Sequence, residues 1–192
     1  MDDLLSDENL VENALKGDEN AFSEIYERFR RLIYSTAYRF IQNAEEARDA
    51  TQEIFIKLFR SLPNWDSDKS KLSIWIYRIA VNHATDCWRS RRYRAMSPLD
   101  EGAAEQILLE HAMDGGARSP FSEMEYKEKI ALVRRCIDSL PDLQKRIFIL
   151  RYFQDLKLVE IAEVEKCNLG TIKSSLSRAT KTVQRSLGIS RG

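Results

Sequence analysis

Apolar residues recur every three or four positions along almost the whole chain, which is the spacing of one face of an α-helix. Ser6 and Asp18 precede the first two apolar stretches and have side chains that cap helix N-termini. Pro63 and Pro141 break the pattern, and the turn-forming residues of segment 63–70 predict a loop. The pattern predicts helices that cover about 10–15, 22–40, 47–62, 72–94, 121–140, 142–152, 158–166 and 169–187.

The composition changes between residues 96 and 125, where Pro and Gly are frequent and seven acidic residues accompany a single Arg. This composition is typical of a solvated linker, with a short helical piece predicted around 104–111. No segment has the alternating pattern of a β-strand. We therefore predict an all-α fold of two small helical domains, residues 1–95 and 121–192, joined by a flexible acidic linker over residues 96–120.

The overall composition is that of an ordinary globular protein, with 43% hydrophobic and 31% charged residues and a formal net charge of zero. Because zero net charge does not favour nucleic acid as a partner, charge has to be considered locally. The three cysteines form no C-x-x-C pair, and the acidic N-terminus lacks the layout of a signal peptide. No apolar run is long enough to cross a bilayer. These features predict a cytoplasmic protein with reduced thiols, no membrane insertion and no bound cofactor.

Residues 158–187 have the layout of a helix-turn-helix, with a short helix, a four-residue turn and a longer second helix. Within the turn, only Asn168 readily adopts a positive φ. Because the chain has six basic residues and no acidic one from Lys166 onwards, the second helix suits the major groove of DNA. A solvated basic helix at the end of a bundle is the alternative. The candidate DNA-binding residues are small, hydroxyl or basic: Gly170, Thr171, Lys173, Ser174, Ser177, Arg178 and Lys181.

Two helices of the N-terminal domain also carry candidate interaction residues. On the third helix, acidic, amide and basic groups share one arc opposite the apolar stripe: Asp49, Gln52, Glu53, Lys57 and Arg60. The fourth helix and the loop before it combine basic groups with aromatic rings, which suits a nucleic-acid strand with unstacked bases. These residues are Trp65, Lys71, Trp75, Arg78, Asn82, Asp86, Arg89 and Arg92. Alternatively, the arc is an ordinary solvated face, and several aromatic side chains, such as Tyr77 and Trp88, belong to the core.

At three places the sequence resembles the sigma factors of bacterial RNA polymerase. Residues 49–55, D-A-T-Q-E-I-F, are similar to the D-x-x-Q-E-x-F signature of sigma region 2.2. Residues 75–82, W-I-Y-R-I-A-V-N, with the Arg cluster that follows, are similar to regions 2.3–2.4. Leu140-Pro141 and G-T-I-K-S at 170–174 resemble region 4. The short linker, and a first helix with no acidic region 1 domain before it, look like the extracytoplasmic-function (ECF) group.

The resemblance implies a promoter-recognition subunit of RNA polymerase that is not an enzyme. An anti-sigma factor would control it, in the cytoplasm or at the inner face of the membrane. The C-terminal domain would contact the β flap, its second helix would read the −35 element, and the fourth helix with its loop would capture the −10 element. The linker would thread the polymerase cleft, unless it is only a solvated tether. Five residues would bind the β′ clamp helices of core polymerase: Asp49, Gln52, Glu53, Phe55 and Lys57.

Two other classes of function stay open at this point. A stand-alone helix-turn-helix regulator would bind duplex DNA tightly without polymerase. An enzyme is disfavoured because the sequence has no Gly-rich phosphate loop, no H-E-x-x-H motif and no plausible nucleophile triad. His83 and Cys87 lie one helical turn apart and could hold a metal ion. Two ligands do not make a site, however, and a packed histidine and thiol are the alternative.

Overall fold

The structure is a computed structural model that describes residues 6–94 and 131–188, with the backbone alone at residues 91–94. The chain divides into two compact units, Met1–Leu99 and Asp100–Gly192. The regular structure in the described ranges is all helical, as predicted, and none of these helices is long and apolar enough to span a membrane. The predicted linker (96–120), its short helical piece and the predicted helical residues 121–130 lie outside the described residues.

The first two helices of the first unit begin at capping residues. Ser6 caps the first helix by accepting a hydrogen bond from the Asn9 amide at 3.3 Å, and Asp18 caps the second by accepting one from the Asn20 amide at 2.9 Å. Pro63 follows the third helix, in a single 3-10 turn (Leu62–Asn64). The α-helices of the described part are α1 (Asp7–Leu15), α2 (Glu19–Ile41), α3 (Ala44–Ser61) and α4 (Leu72–Arg94).

The core of the first unit is centred on α2, which packs against α1, α3 and α4. Ile25 and Ile33 of α2 have no exposed surface, and the same holds for Ile54 and Leu58 of α3. Each such side chain stabilises the fold by roughly 1.5–3 kcal/mol relative to an exposed one. Because the apolar stripes of α3 and α4 face α2, the opposite faces of both helices are left at the surface.

The second unit is a smaller set of helices packed around α8. Within its described part it contains helical residues 131–138 (α5), α6 (Asp142–Tyr152), α7 (Leu158–Glu165) and α8 (Leu169–Ser186). α6 and α7 pack against each other and against α8, and Ile147, Ile161 and Ile172 are fully buried where they meet. Leu176, which the apolar spacing predicts to face inward, is only half-buried, and Ser175 takes a buried position instead.

Two ion pairs connect the helices of the second unit. Lys145 of α6 is 1% exposed and donates a hydrogen bond to Asp138 of α5 at 2.5 Å. Arg146 of α6 donates to both carboxylate oxygens of Glu165, at the end of α7, with distances of 2.6 to 3.0 Å. The side chains of Lys145 and Glu165 have almost no exposed surface, so removing the partner of either one would leave a buried charge unpaired.

Candidate functional site

The turn between α7 and α8 depends on Lys166 and Asn168. Lys166 adopts the left-handed conformation, with φ 51°, whereas Asn168 has φ −71° and ψ 154°. Asn168 is the turn residue that most readily adopts a positive φ, but Lys166 adopts it instead. Oδ1 of Asn168 accepts a hydrogen bond from the Thr171 amide at 2.8 Å, and an N-cap residue needs the extended backbone. Asn168 thus fixes the start of α8, while Lys166 provides the bend.

One face of α8 exposes most of the predicted DNA-binding residues. Thr171 is half-buried beside the cap. The Ser174 hydroxyl donates to the Thr171 carbonyl at 3.0 Å, and Arg178 reaches the Ser174 hydroxyl at 3.5 Å. Because α8 has no acidic residue, this face is positively charged along its length and can approach phosphates. The exposed residues of this face are Gly170, Lys173, Ser174, Ser177, Arg178 and Lys181.

The exposed arc of α3 carries a second candidate surface, which we call the α3 face: Asp49, Gln52, Glu53, Ile56 and Lys57. Four of these residues were predicted from the sequence, and all five are exposed. Ile56, which was not predicted, is 50% exposed. Helical spacing could have predicted this exposure, because Ile56 lies one turn after Gln52 and outside the apolar stripe of the helix. The α3 face thus has charged and amide groups around an aliphatic side chain.

Two predicted contact residues lie in the core. Phe55 is 5% exposed, and its ring centroid lies 4.6 Å from that of Tyr26. Trp75, in the first turn of α4, is 7% exposed. Trp88 is also buried, as the core alternative predicts, whereas Tyr77 is half-buried. Direct contacts from Phe55 and Trp75 stay predictions, and they would require a change in this packing.

The buried imidazole of His83, on α4, packs against the α3 face. His83 is 6% exposed, its Nδ1 lies 2.6 Å from Nζ of Lys57, and its Nε2 lies 3.3 Å from Oε2 of Glu53. Because the ammonium group of Lys57 can only donate, Nδ1 accepts, which places the proton of a neutral ring on Nε2. Burial, and then the charge of Lys57, lowers the pKa of His83 below its ordinary value, which favours this neutral form.

The possible metal pair, His83 and Cys87, belongs to the same cluster. Sγ of Cys87 lies 3.6 Å from Nε2 of His83. Burial, with the nearby charge of Glu53, raises the pKa of the Cys87 thiol, which keeps it protonated in this packing. In the described parts of the chain, no group of three or more His, Cys, Asp and Glu side chains could hold a metal ion. The cluster therefore fits a packed histidine and thiol.

The loop before α4 and the polar side of that helix carry the remaining predicted DNA-binding residues. The half-buried Trp65 donates its indole N–H to the Ser70 carbonyl at 3.1 Å, which closes the loop. Lys69 donates to Asp66 across the same loop, and this contact lowers the pKa of Asp66. Arg78 is half-buried, and the Arg92 side chain lies outside the described residues. The exposed residues of this set are Lys71, Asn82, Asp86 and Arg89.

Known proteins resemble both units of the chain. A family model described as Sigma-70 region 2 matches residues 25–94, and one described as Sigma-70, region 4, matches residues 130–183. The RNA polymerase sigma-H factor of Pseudomonas aeruginosa is 34% identical over 182 residues, which cover 94% of this chain and 93% of that protein. The ECF RNA polymerase sigma-E factor of Escherichia coli is 32% identical over 187 residues, which cover 95% of each protein.

A solved structure shares the fold. The sigma factor RpoE of Bartonella quintana, determined in complex with the anti-sigma factor NepR, has a TM-score of 0.61 and 18% identity, with 88% of this chain and 98% of that one covered. The two family matches lie in the two structural units, and the curated relatives match along nearly their full length. The chain therefore belongs to the sigma-70 family of RNA polymerase sigma factors, in its extracytoplasmic-function group.

Proposed function

We propose that this sigma factor binds core RNA polymerase through the α3 face, reads the −35 element with α8, and captures the −10 element with α4 and the loop at 65–71. The observation that carries the proposal is the difference in chemistry between two exposed helix faces. The α3 face surrounds an aliphatic residue with charged and amide groups, whereas α8 exposes hydroxyl and basic groups with no acid. The first is typical of a protein interface and the second of a DNA interface.

The α3 face suits the clamp helices of the β′ subunit. Asp49, Gln52 and Glu53 offer oxygens that accept charge-assisted hydrogen bonds from arginines on a partner helix. Ile56 supplies an apolar centre that a partner can cover, with the polar groups as the rim. Burial of the exposed half of this side chain would contribute on the order of 1 kcal/mol to binding.

The proposed −35 reading depends on how firmly α8 is held in the helix-turn-helix. The Asn168 cap fixes its first turn, and the Arg146–Glu165 pair holds the end of α7 just before the turn. Basic side chains such as Lys181 would neutralise phosphates, while short hydroxyl side chains let the helix approach base edges closely. The β flap would hold this unit on the polymerase.

The proposed −10 capture uses a loop that is already closed. The Trp65–Ser70 hydrogen bond orders the loop before DNA arrives, so less conformational entropy is lost on binding. Lys71 and Arg89 are exposed and can bind phosphates, and Asn82 can bind a base edge. Flipping a base out of the duplex costs a few kcal/mol, which contacts of about 1–3 kcal/mol per stacked base would offset.

In this proposal the protein works in the cytoplasm as a binding subunit, without turnover of its own. Its formal net charge of zero predicts weak affinity for DNA on its own, so that promoters are recognised mainly by the holoenzyme. An anti-sigma factor would cover the same surfaces until a signal releases it. The similar Bartonella sigma factor was solved with such a regulator, which supports this part of the proposal.

The polymerase contact can be tested by titrating fluorescently labelled protein with core RNA polymerase. We expect Ile56→Ser to weaken binding about fivefold, because an exposed apolar contact is lost. Asp49→Ala should also weaken binding. Arg30→Ala is the control, since Arg30 is exposed on α2 and lies outside the α3 face. Binding by Ile56→Ser and Asp49→Ala as tight as that of Arg30→Ala would exclude the α3 face as the docking surface.

The −35 contact can be tested by measuring promoter binding by the holoenzyme at several salt concentrations. Lys181→Ala should weaken binding to all promoters similarly and reduce the salt slope by about 1, as expected for one lost phosphate contact. Arg30→Ala should leave the slope unchanged. An unchanged slope with Lys181→Ala would remove this residue from the interface. Tight, site-specific binding by the protein without polymerase would instead favour the stand-alone regulator.

A further inference from the structure

We propose that His83 is a positioning residue for polymerase binding, because its buried imidazole holds two charged side chains of the α3 face in place. The inference rests on the proposed role of that face. His83 is itself 6% exposed and offers almost no surface to a partner. Its contribution would pass through Glu53 and Lys57, which are both exposed and both contact the ring.

The geometry places the imidazole between two opposite charges. Glu53 and Lys57 are four residues apart on α3, a spacing at which a Glu and a Lys can pair directly. Here Lys57 donates to Nδ1 at 2.6 Å, and Nε2 lies 3.3 Å from Oε2 of Glu53, an ion-pair distance. The ring belongs to α4 and is packed in the core, so it cannot follow the motions of an exposed side chain. It therefore restricts both side chains to one arrangement.

The charged groups around the ring favour the tautomer that this arrangement needs. Lys57 and Glu53 face it from α3, and Asp86 and Cys87 lie near it on α4. Protonation of Nδ1 would place a second positive charge and a second donor against Lys57. Burial and Lys57 together lower the pKa of His83, while Glu53 and Asp86 oppose this shift. Near neutral pH the ring thus accepts from Lys57 at Nδ1 and keeps its proton on Nε2, close to the carboxylate of Glu53.

A fixed carboxylate binds a partner better than a mobile one. The Glu53 side chain is 63% exposed and would otherwise sample several rotamers in the free protein. Ordering one such side chain on binding weakens affinity by about three- to tenfold, and an arrangement that is already ordered avoids this loss. His83 also lies on α4 next to Asn82, so it links the polymerase-binding face to the helix proposed to capture the −10 element.

Two substitutions of the same residue separate positioning from packing. In His83→Gln the side-chain amide can reach the former place of Nε2 and donate to Glu53. In His83→Asn the shorter amide can accept from Lys57 but cannot reach Glu53. We expect His83→Asn to bind core polymerase three- to tenfold more weakly than the wild type, and His83→Gln to bind within about twofold of it. Both should lose similar thermal stability, because both leave space in the core.

The outcomes distinguish this inference from the proposed docking role. Glu53→Ala should weaken core binding, and adding His83→Asn to Glu53→Ala should cause no further loss. If Glu53→Ala binds normally, Glu53 has no docking role and the positioning role fails with it, whereas the α3 face as a whole is excluded only if Ile56→Ser and Asp49→Ala also bind normally. If Glu53→Ala binds weakly but His83→Asn binds normally, only the positioning role fails. If the Asn and Gln variants of His83 lose equal affinity for core polymerase, in proportion to their loss of stability, His83 acts only through packing and the positioning role is overturned.

A measurement on the unsubstituted protein tests the geometry even if a variant folds poorly. In a ¹⁵N-labelled sample, the imidazole nitrogens of His83 report directly which of them carries the proton. We expect the Nε2–H form at neutral pH, and a change in the Nδ1 signal in Lys57→Met. A ring protonated at Nδ1, or one that does not respond to Lys57→Met, would contradict the proposed contacts.

Discussion

Replacing Glu165 with Gln tests whether the ion pair between α6 and α7 holds the helix-turn-helix together. The Glu165 side chain is 4% exposed, and it accepts hydrogen bonds from Nε and a terminal nitrogen of Arg146. Gln has nearly the same size and can still accept one hydrogen bond. The charge of Arg146, whose side chain is 19% exposed, would then lack its counter-charge.

Breaking a buried pair by removing one partner costs about 3–5 kcal/mol. Arg146 keeps some contact with solvent and one hydrogen bond survives, so we expect a loss near the lower end, about 3 kcal/mol. At 1.36 kcal/mol per tenfold change, this loss corresponds to roughly 150-fold more frequent opening of the second unit. Since Glu165 directly precedes the turn residue Lys166, the opening would release the start of α8.

Hydrogen exchange of the full chain, followed by mass spectrometry of peptides, measures this opening in each unit separately. Peptides from α6, α7 and α8 should lose roughly 150-fold in protection, while those from α2 and α3 should be unchanged. Asp155→Asn is the matched control, because it makes the same change of acid to amide at a fully exposed carboxylate, which lies 3.8 Å from Arg151. Its left-handed φ of 53° also tolerates Asn. Exchange in Glu165→Gln as slow as in Asp155→Asn would show that the ion pair does not hold the helix-turn-helix together.

Further predictions concern the turn and the buried histidine. Lys166→Gly should raise the stability of the second unit by about 1 kcal/mol in thermal denaturation, because Lys166 has a φ of 51°; a loss of stability would contradict the assigned strain. Asn168→Ala should lower that stability by about 1 kcal/mol and Asn168→Ser by much less, so equal losses would argue against capping. Because the pKa of His83 is lower in the folded protein, the ring of the unfolded chain takes up a proton at a higher pH than the ring of the folded protein. Its contribution to the free energy of unfolding is therefore complete above pH 6.5 and is lost below it. Urea denaturation at roughly pH 7.5 and 5.5 should show this decrease, and His83→Gln should reduce it; an identical decrease in the variant would exclude His83 as its source.

Much of the fold follows from local signals in the sequence. Ser6 and Asp18 cap the helices they were expected to cap, because capping depends on one side chain and the two or three amides that follow it. The turn before α8 was harder to predict. Asn168 has the highest intrinsic preference there for a positive φ, but the same side chain was needed as the cap, and one residue cannot satisfy both conformations. Lys166 therefore adopts the strained conformation.

The candidate surfaces were predicted less completely, because burial depends on how helices pack. Helical periodicity correctly placed Asp49, Gln52 and Lys57 on the exposed arc of α3. It could not reveal that His83 of α4 bridges two members of that arc, since this contact depends on the packing of α3 on α4. The family signature includes Phe55, whose ring lies in the core, so its contact with polymerase stays a prediction.

The most direct test of the account is transcription from a library of genomic fragments by core RNA polymerase, with and without this protein. We expect initiation at a defined set of promoters only when the protein is present. Alanine at Asp49, Gln52 and Glu53 together should abolish this initiation, while Arg30→Ala should leave it intact. No gain of specific initiation by core polymerase, with protection of a duplex site by the protein alone, would contradict the account and leave the α3 face an ordinary solvated helix surface.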